Sequence, residues 1–234
     1  MSIAIFDSVV EFIQHLLQSD ASTVTLISCS TRDAFIEELY ADIQAQSLTR
    51  ERFGSTRAEE NGGEAAEEDE KEDTENHHWL LSNTLDLISR SQRVKLVFCP
   101  AIEHLRAYLG CAFRVRKNQD GQEGGSSLYQ GSAVLAVVNM VSIHSSTVEF
   151  SAQGLSRTSA LAVEAATREG VELVLCECKP VHDGDEAERG SRIWDAQVPL
   201  LNSMTRSVRE GLSGVKTVRV KQIMKKWFRF DGAI

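Results

Sequence analysis

Between a β-rich run and a helical run lies Ser28-Cys29-Ser30-Thr31-Arg32-Asp33, in the place where an α/β sheet ordinarily meets phosphate. A phosphate cradle uses glycines for close backbone approach, a lysine for charge and a hydroxyl for magnesium. This loop has neither glycine nor lysine, and Asp33 brings negative charge to the spot where phosphate would rest. Arg32 and the hydroxyls of Ser30 and Thr31 can face an anion at a helix N-terminus, but these residue types read first as a helix cap. At the end of the apolar run Ala133–Val138 stands Asn139, where such a site would hold magnesium through a carboxylate. An amide cannot supply that charge. With both elements degraded, phosphoryl transfer would lack its largest stabilising contribution. The expectation is a degenerate nucleotide site (Ser28, Cys29, Ser30, Thr31, Arg32, Asn139), no catalytic residue, no cofactor and no ATPase activity. A nucleotide-dependent enzyme with an atypical loop at 28–33 stays open as an alternative.

Other chemistries find less to work with. His104, His144 and His182 stand singly, no G-x-S-x-G elbow occurs, and the cysteines lack a recognisable catalytic context. Glu149 and Glu177 can be imagined as an acid/base pair, but nothing local joins them and both read as surface carboxylates. Cys29, Cys99, Cys111, Cys176 and Cys178 make an odd count, most of them in or beside apolar runs, so reduced thiols are expected. Cys176 and Cys178 form a C-x-C without the further ligands that structural zinc demands, so no metal is expected.

Charge is segregated along the chain. The formal net charge is −9, and residues 58–76 alone hold ten acids against one lysine, so the remaining acids and bases cancel. That stretch is too polar to bury a core and reads as a disordered insert at about 50–77. Toward the other end Lys216, Arg219, Lys221, Lys225, Lys226 and Arg229 face a single acid, Asp231, with Trp227, Phe228 and Phe230 interleaved. Bases plus aromatics suit phosphates and stacked single-stranded bases. The competing reading is an edge strand guarded by charge with its aromatics inside. The acidic insert could screen this basic segment and be displaced by nucleic acid.

The elements that must position these residues alternate. Helical spacing runs over 3–18, an apolar strand over 23–27, a helix over 32–46 with Phe35, Ile36, Leu39, Tyr40 and Ile43 on one face, and another over 79–89. A strand at 94–99 and a helix over roughly 101–114 follow, then a flexible Gly-rich loop at about 117–131. Ala133–Val138 is a continuous apolar run of the kind found in a strand covered on both faces, the candidate central strand. Ser151 caps a helix that stops at Gly170, and Val171–Cys176 is the next strand. Trp194–Leu201 and Val215–Phe230 read as extended segments, an antiparallel extension of the sheet. This order predicts one α/β domain over 1–234, a mostly parallel central sheet between two helical layers with antiparallel C-terminal strands. No stretch approaches the length of a membrane span and the opening residues lack the basic start of an export signal, so an intracellular protein is expected.

The block Ala133–Lys179 resembles the second half of the RecA-type core of eukaryotic recombinases and their paralogues. That family has an apolar strand ending in Asp, a loop, a helix, then Gly-Val and an apolar strand ending in Asn-Gln. This chain follows with Asn139, a loop over 142–150, a helix over Leu155–Glu169, Gly170-Val171, and Glu177 near the strand end. The resemblance extends to the strand at 23–28 in the phosphate-loop position, to Trp194 heading a strand, and to Thr205-Arg206 before a basic strand, about two-thirds of the chain. It implies a three-layer RecA-like fold in a paralogue that has lost nucleotide hydrolysis, similar to subunits of Shu-type complexes that assist recombinase filaments on single-stranded DNA. On that resemblance the chain is expected to be nuclear, to pair with a RecA-like paralogue, and to act with a recombinase filament in homologous-recombination repair, with single-stranded DNA as a further expected contact. An alternative is a RecA-like accessory subunit of the Elongator type, acting on transfer RNA.

Overall fold

The protein is described from a computed structural model covering residues 1–55, 78–115, 132–179, 190–201 and 216–231. The acidic insert beyond Ser55, the Gly-rich loop, His182 and Thr205-Arg206 lie outside the described residues.

Among the described residues eight strands and seven α-helices follow one another along the chain. In order they are β1 (Ser2–Ala4), α1 (Val9–Gln18), β2 (Thr23–Ser28), α2 (Arg32–Ser55), α3 (Leu85–Ser91), β3 (Val94–Phe98) and α4 (Ile102–Ala107). Then come β4 (Ala133–Val138), α5 (Ser142–Ser145), α6 (Ala152–Glu169), β5 (Glu172–Cys176), β6 (Gln197–Pro199), β7 (Thr217–Arg219), α7 (Val220–Met224) and β8 (Arg229–Asp231). The main sheet has the order β3-β2-β4-β5-β1-β8. Every pairing in it is parallel. β6 and β7 form a separate antiparallel pair.

Side chains of a strand alternate between faces, so a sheet covered on both sides must be apolar at every position. β4 meets this demand. Leu135 and Val137 join one core with Leu173 and Leu175 of β5, Leu155 and Ala162 of α6, and Leu105 of α4. Val134, Ala136 and Val138 join the other with Val24 and Leu26 of β2, Val9 and Phe12 of α1, and Phe35 and Ile43 of α2. The sheet is the middle of three layers. Fully buried side chains such as Leu135, Leu173 and Phe12 each contribute roughly 1.5–3 kcal/mol of transfer free energy.

The helix ends follow from local chemistry. Ser151 Oγ accepts the Gly154 N–H at 3.1 Å at the start of α6, and Gly170 closes it at φ +70°. Ser8 and Thr84 cap α1 and α3 in the same manner.

Four boundaries differ from the sequence reading. The helical spacing of 3–18 conceals a strand, because β1 occupies Ser2–Ala4 and the helix begins only after its Ser8 cap. α2 continues to Ser55, past the expected start of the insert at about 50, since glutamine, arginine and glutamate favour helix without needing burial. The segment 79–89 divides into a short 3-10 turn, Trp79–Leu81, and α3, separated by the Thr84 cap. The C-terminal third is not one extended segment: β6 and β7 are antiparallel as expected but off the main sheet, α7 intervenes, and β8 joins the main sheet in parallel beside β1. Among the described residues no helix is long and apolar enough to cross a membrane.

Candidate functional site at the carboxyl edge of the sheet

A parallel sheet brings all its carboxyl ends to one edge. The chain leaves β2 through α2, which packs on one face, and leaves β4 through α6, which packs on the other. The edge between two neighbouring strands whose exits diverge is the usual ligand position in such folds. The predicted residues are brought together here: Ser28–Arg32 follow β2, Asn139 follows β4, and Cys29 N–H donates to Val138 O at 3.1 Å across them.

Most of the polar groups at this edge are already engaged. Thr31 Oγ1 accepts the Ala34 N–H at 3.2 Å and so caps α2, while Ser28 and Ser30 hydroxyls bond each other at 2.8 Å. Arg32 is exposed. Cys29 is buried, and burial, the Glu177 carboxylate and Cys99 push its thiol well above the usual thiol range, so it is a protonated packing group rather than a nucleophile. Asn139 adopts φ +62°, its N–H donates to Cys176 O at 2.9 Å, and its Oδ1 accepts the Cys178 N–H at 2.9 Å. Short amide side chains tolerate this left-handed geometry better than other non-glycine residues.

Two buried carboxylates serve the turns at this edge, Glu177 after β4 and Asp42 after β1. Glu177, read as a surface group, is 2 % exposed: Oε1 accepts the Val141 N–H at 2.6 Å, and Oε2 accepts the Ser142 N–H at 3.1 Å and its hydroxyl at 2.6 Å. Its signal was a glutamate set between two buried cysteines directly after an apolar strand. Asp42, on α2, accepts the Val10 N–H at 3.1 Å and the Ser8 hydroxyl at 2.6 Å at the start of α1. Sequence offered no signal for Asp42, whose partners lie more than thirty residues away. The loop after β1, Ile5-Phe6-Asp7-Ser8, is therefore the true first βα loop, and it too has no glycine and no lysine.

The amide groups that would face a phosphate are thus turned to the protein's own carboxylates, Asp42 at α1 and Glu177 at the turn after β4. Oriented N–H groups at such turns and helix starts are what binds anions in folds of this class.

Glu149 and Glu177 belong to different networks. Glu149 pairs with Arg106 at 2.7 Å, Arg106 Nε donates to Thr158 Oγ1 at 3.0 Å, and Thr158 Oγ1 bonds His144 Nε2 at 3.0 Å. His144 Nδ1 donates to Met140 O at 2.9 Å. His144 is fully buried rather than a loop residue; burial, offset in part by the Met140 bond, lowers its pKa, with Arg106 lowering it further. The Arg106 hydrogen bond holds Glu149 below the usual carboxylate range. His104 is exposed.

Four of the cysteines are buried and Cys111 is exposed. Cys176 and Cys178 thiols lie 3.6 Å apart, and that hydrogen bond, followed by burial, pushes Cys178 well above the thiol range. Among the described residues no three His, Cys, Asp or Glu side chains gather as metal ligands.

The basic segment lies elsewhere, on β7, α7 and β8. Lys216, Arg219, Lys221, Lys225, Lys226 and Arg229 are all exposed. The interleaved aromatics turn inward: Phe228 is buried, and Trp227 and Phe230 are half-buried against the core. Strand and helix geometry sends the long cations to solvent and the rings to the layer beneath.

A family model described as SPAC22G7.03-like matches residues 2–230. No curated protein and no solved structure matches the chain.

Proposed function

We propose, from the premise that the chain belongs to the SPAC22G7.03-like family, that it is a non-catalytic RecA-like paralogue subunit, a scaffold in a nuclear complex that assists recombinase filaments in homologous-recombination repair. One observation carries the non-catalytic part: Asp42 and Glu177 accept the backbone amides at the carboxyl edge that would otherwise face phosphate. A triphosphate at either turn would find its amides already taken by a carboxylate and no lysine in either βα loop, and so would lack the preorganised donors that phosphoryl transfer requires. Asn139 supports the same reading, since its amide serves a strand-to-strand bond.

The scaffold part is supported by an apolar surface at the β3 end of the sheet. α3 and β3 bury no residue fully, and Leu85 is 86 % exposed, with Ile88, Leu96, Ile36 and Tyr40 each more than two-fifths exposed. Beside them a groove of about 380 Å³ is lined by Leu16, Leu26, Phe35, Leu39, Leu87 and Val94 among others. An apolar groove with exposed apolar residues, such as Ile88 and Leu96 that line it, is the kind of surface that marks protein association. A RecA-like paralogue is the occupant this reading assigns to it.

Two measurements test the proposal. Calorimetry with ATP and magnesium should give no binding heat; micromolar binding lost in Arg32→Ala would overturn it. Affinity purification of the tagged full chain from native extract should recover a RecA-like paralogue and recombination factors; recovery of transfer-RNA-modifying proteins in their place would transfer the chain to the accessory-ring reading.

A further inference from the structure

The basic surface has two properties that together define a ligand. First, its cations are unpaired with acids among the described residues. From Lys216 to Phe230 there are six bases and no acid, and none of the six is in an ion pair with a described residue. Protection of sheet edges explains few of them, because only Arg219 and Arg229 lie on strands while Lys216, Lys221, Lys225 and Lys226 do not. Solubility does not require them either in a chain whose net charge is −9.

Second, its aromatic rings are occupied. Phe230 meets Trp194 edge-on at 5.3 Å and 87°, and Lys221 Nζ sits 5.5 Å above the Phe230 ring. Phe228 is 4 % exposed, and Trp227 packs on the core with its Nε1 buried and without a partner. Phe228 is closed to a base, and Trp227 and Phe230 offer only part of their surface, a poor platform for the stacking that favours single strands. An anionic membrane is also disfavoured, since surface helices that bind one present apolar side chains beside their cations. The apolar residues of α7, Val220, Ile223 and Met224, are all buried.

We infer that the surface of β7, α7 and β8 binds nucleic acid through the sugar-phosphate backbone alone, accepting duplex and single strands alike and reading no sequence. This rests on the reading of the chain as a subunit acting at nucleic acid and goes beyond it by naming the part of the ligand that is recognised. It departs from the expectation of stacked single-stranded bases.

The test is fluorescence anisotropy of the full chain with labelled duplex and single-stranded DNA of equal length across a salt series. Both should bind comparably at low salt; between roughly 50 and 200 mM about six phosphate contacts should weaken the duplex about a thousandfold and the single strand about three hundredfold. Replacing Lys221, Lys225 and Lys226 together by alanine should weaken both ligands and reduce the duplex salt slope by about 3. These side chains are exposed, so an unchanged melting temperature should accompany the loss. A strong preference for single strands with quenching of tryptophan fluorescence would overturn the inference in favour of stacking. Binding to phosphatidylserine vesicles without binding to DNA, or no salt-dependent DNA binding at all, would also overturn it. Failure of the subunit reading looks different: DNA binding would persist while affinity purification recovered no paralogue.

Discussion

Asn139 Oδ1 accepts the backbone N–H of Cys178 at 2.9 Å, and the Asn139 N–H donates to Cys176 O at the same distance, so one residue fastens the end of β4 to both sides of the β5 exit. It does so at φ +62°, where the short amide side chain is tolerated. Asn139→Val should therefore destabilise the protein most, by about 2–3 kcal/mol, through backbone strain plus an unmet buried amide. Asn139→Gly, which relieves strain but still loses the acceptor, should cost about 1–2 kcal/mol. Asn139→Asp keeps both geometry and acceptor and should fold. Denaturant unfolding checks the order, and a glycine variant less stable than the valine variant would contradict it.

His144 makes stability depend on pH. Its native pKa is lowered from 6.5, chiefly by burial, so the unfolded chain takes up a proton more readily than the native one. The contribution is complete above about 6.5 and is lost as pH falls toward the depressed native value, with a slope of at most about 1.4 kcal/mol per pH unit. Glu149 acts in the same direction but lower, since its native pKa is held below 4.5 by Arg106 and its contribution is lost only as pH falls past that range. Urea unfolding of wild type and His144→Gln should thus converge between about pH 7 and pH 5. Parallel curves across that interval would exclude His144 as the source.

The strands legible in advance were those whose pattern one window contains. Ala133–Val138 is apolar throughout because β4 is covered on both faces, and Ser151 and Gly170 bound α6 as cap chemistry requires. β1 escaped because a three-residue strand followed by an amphipathic helix shares that helix's apolar spacing. That miss placed the first βα loop at Ser28–Asp33 instead of Ile5–Ser8. Asp42 and Glu177 escaped for another reason, since their partners at Ser8, Val10, Val141 and Ser142 come near only when the sheet assembles. The rings at Trp227, Phe228 and Phe230 were legible as residues but not as orientations, which α7 and the pairing of β8 with β1 decide.

Two glycines of α6 should respond differently to alanine. Gly170 has φ +70° and open space around the position of an added Cβ, so Gly170→Ala carries only the backbone penalty, about 1–2 kcal/mol. At Gly154 the added carbon would overlap the Glu149 carbonyl oxygen and crowd its carboxylate. Gly154→Ala must push the 145–150 loop away and with it the Glu149–Arg106 pair, which Arg106 also ties to Gly154 O at 3.2 Å. The expected cost exceeds that of Gly170→Ala, in the range of about 2–4 kcal/mol typical of overpacking combined with a broken network. Thermal unfolding of the two variants side by side decides the order.

The apolar surface at the β3 end admits a test that separates association from folding. Leu85 and Ile88 are 86 % and 44 % exposed on α3, so charges placed there leave the two cores intact. Leu85→Glu combined with Ile88→Glu should keep the melting temperature within a few degrees, since exposed substitutions change stability by about 0.5 kcal/mol or less. In affinity purification the same variant should lose the paralogue proposed as its partner, because two carboxylates desolvated in an apolar interface are costly to bury. DNA binding by the β7–α7–β8 surface should be unaffected, as its cations lie on other elements of the fold. A partner retained by the double variant would move the docking surface away from α3 and β3. Loss of both partner and thermal stability would show instead that α3 serves the fold, through its contacts with α1.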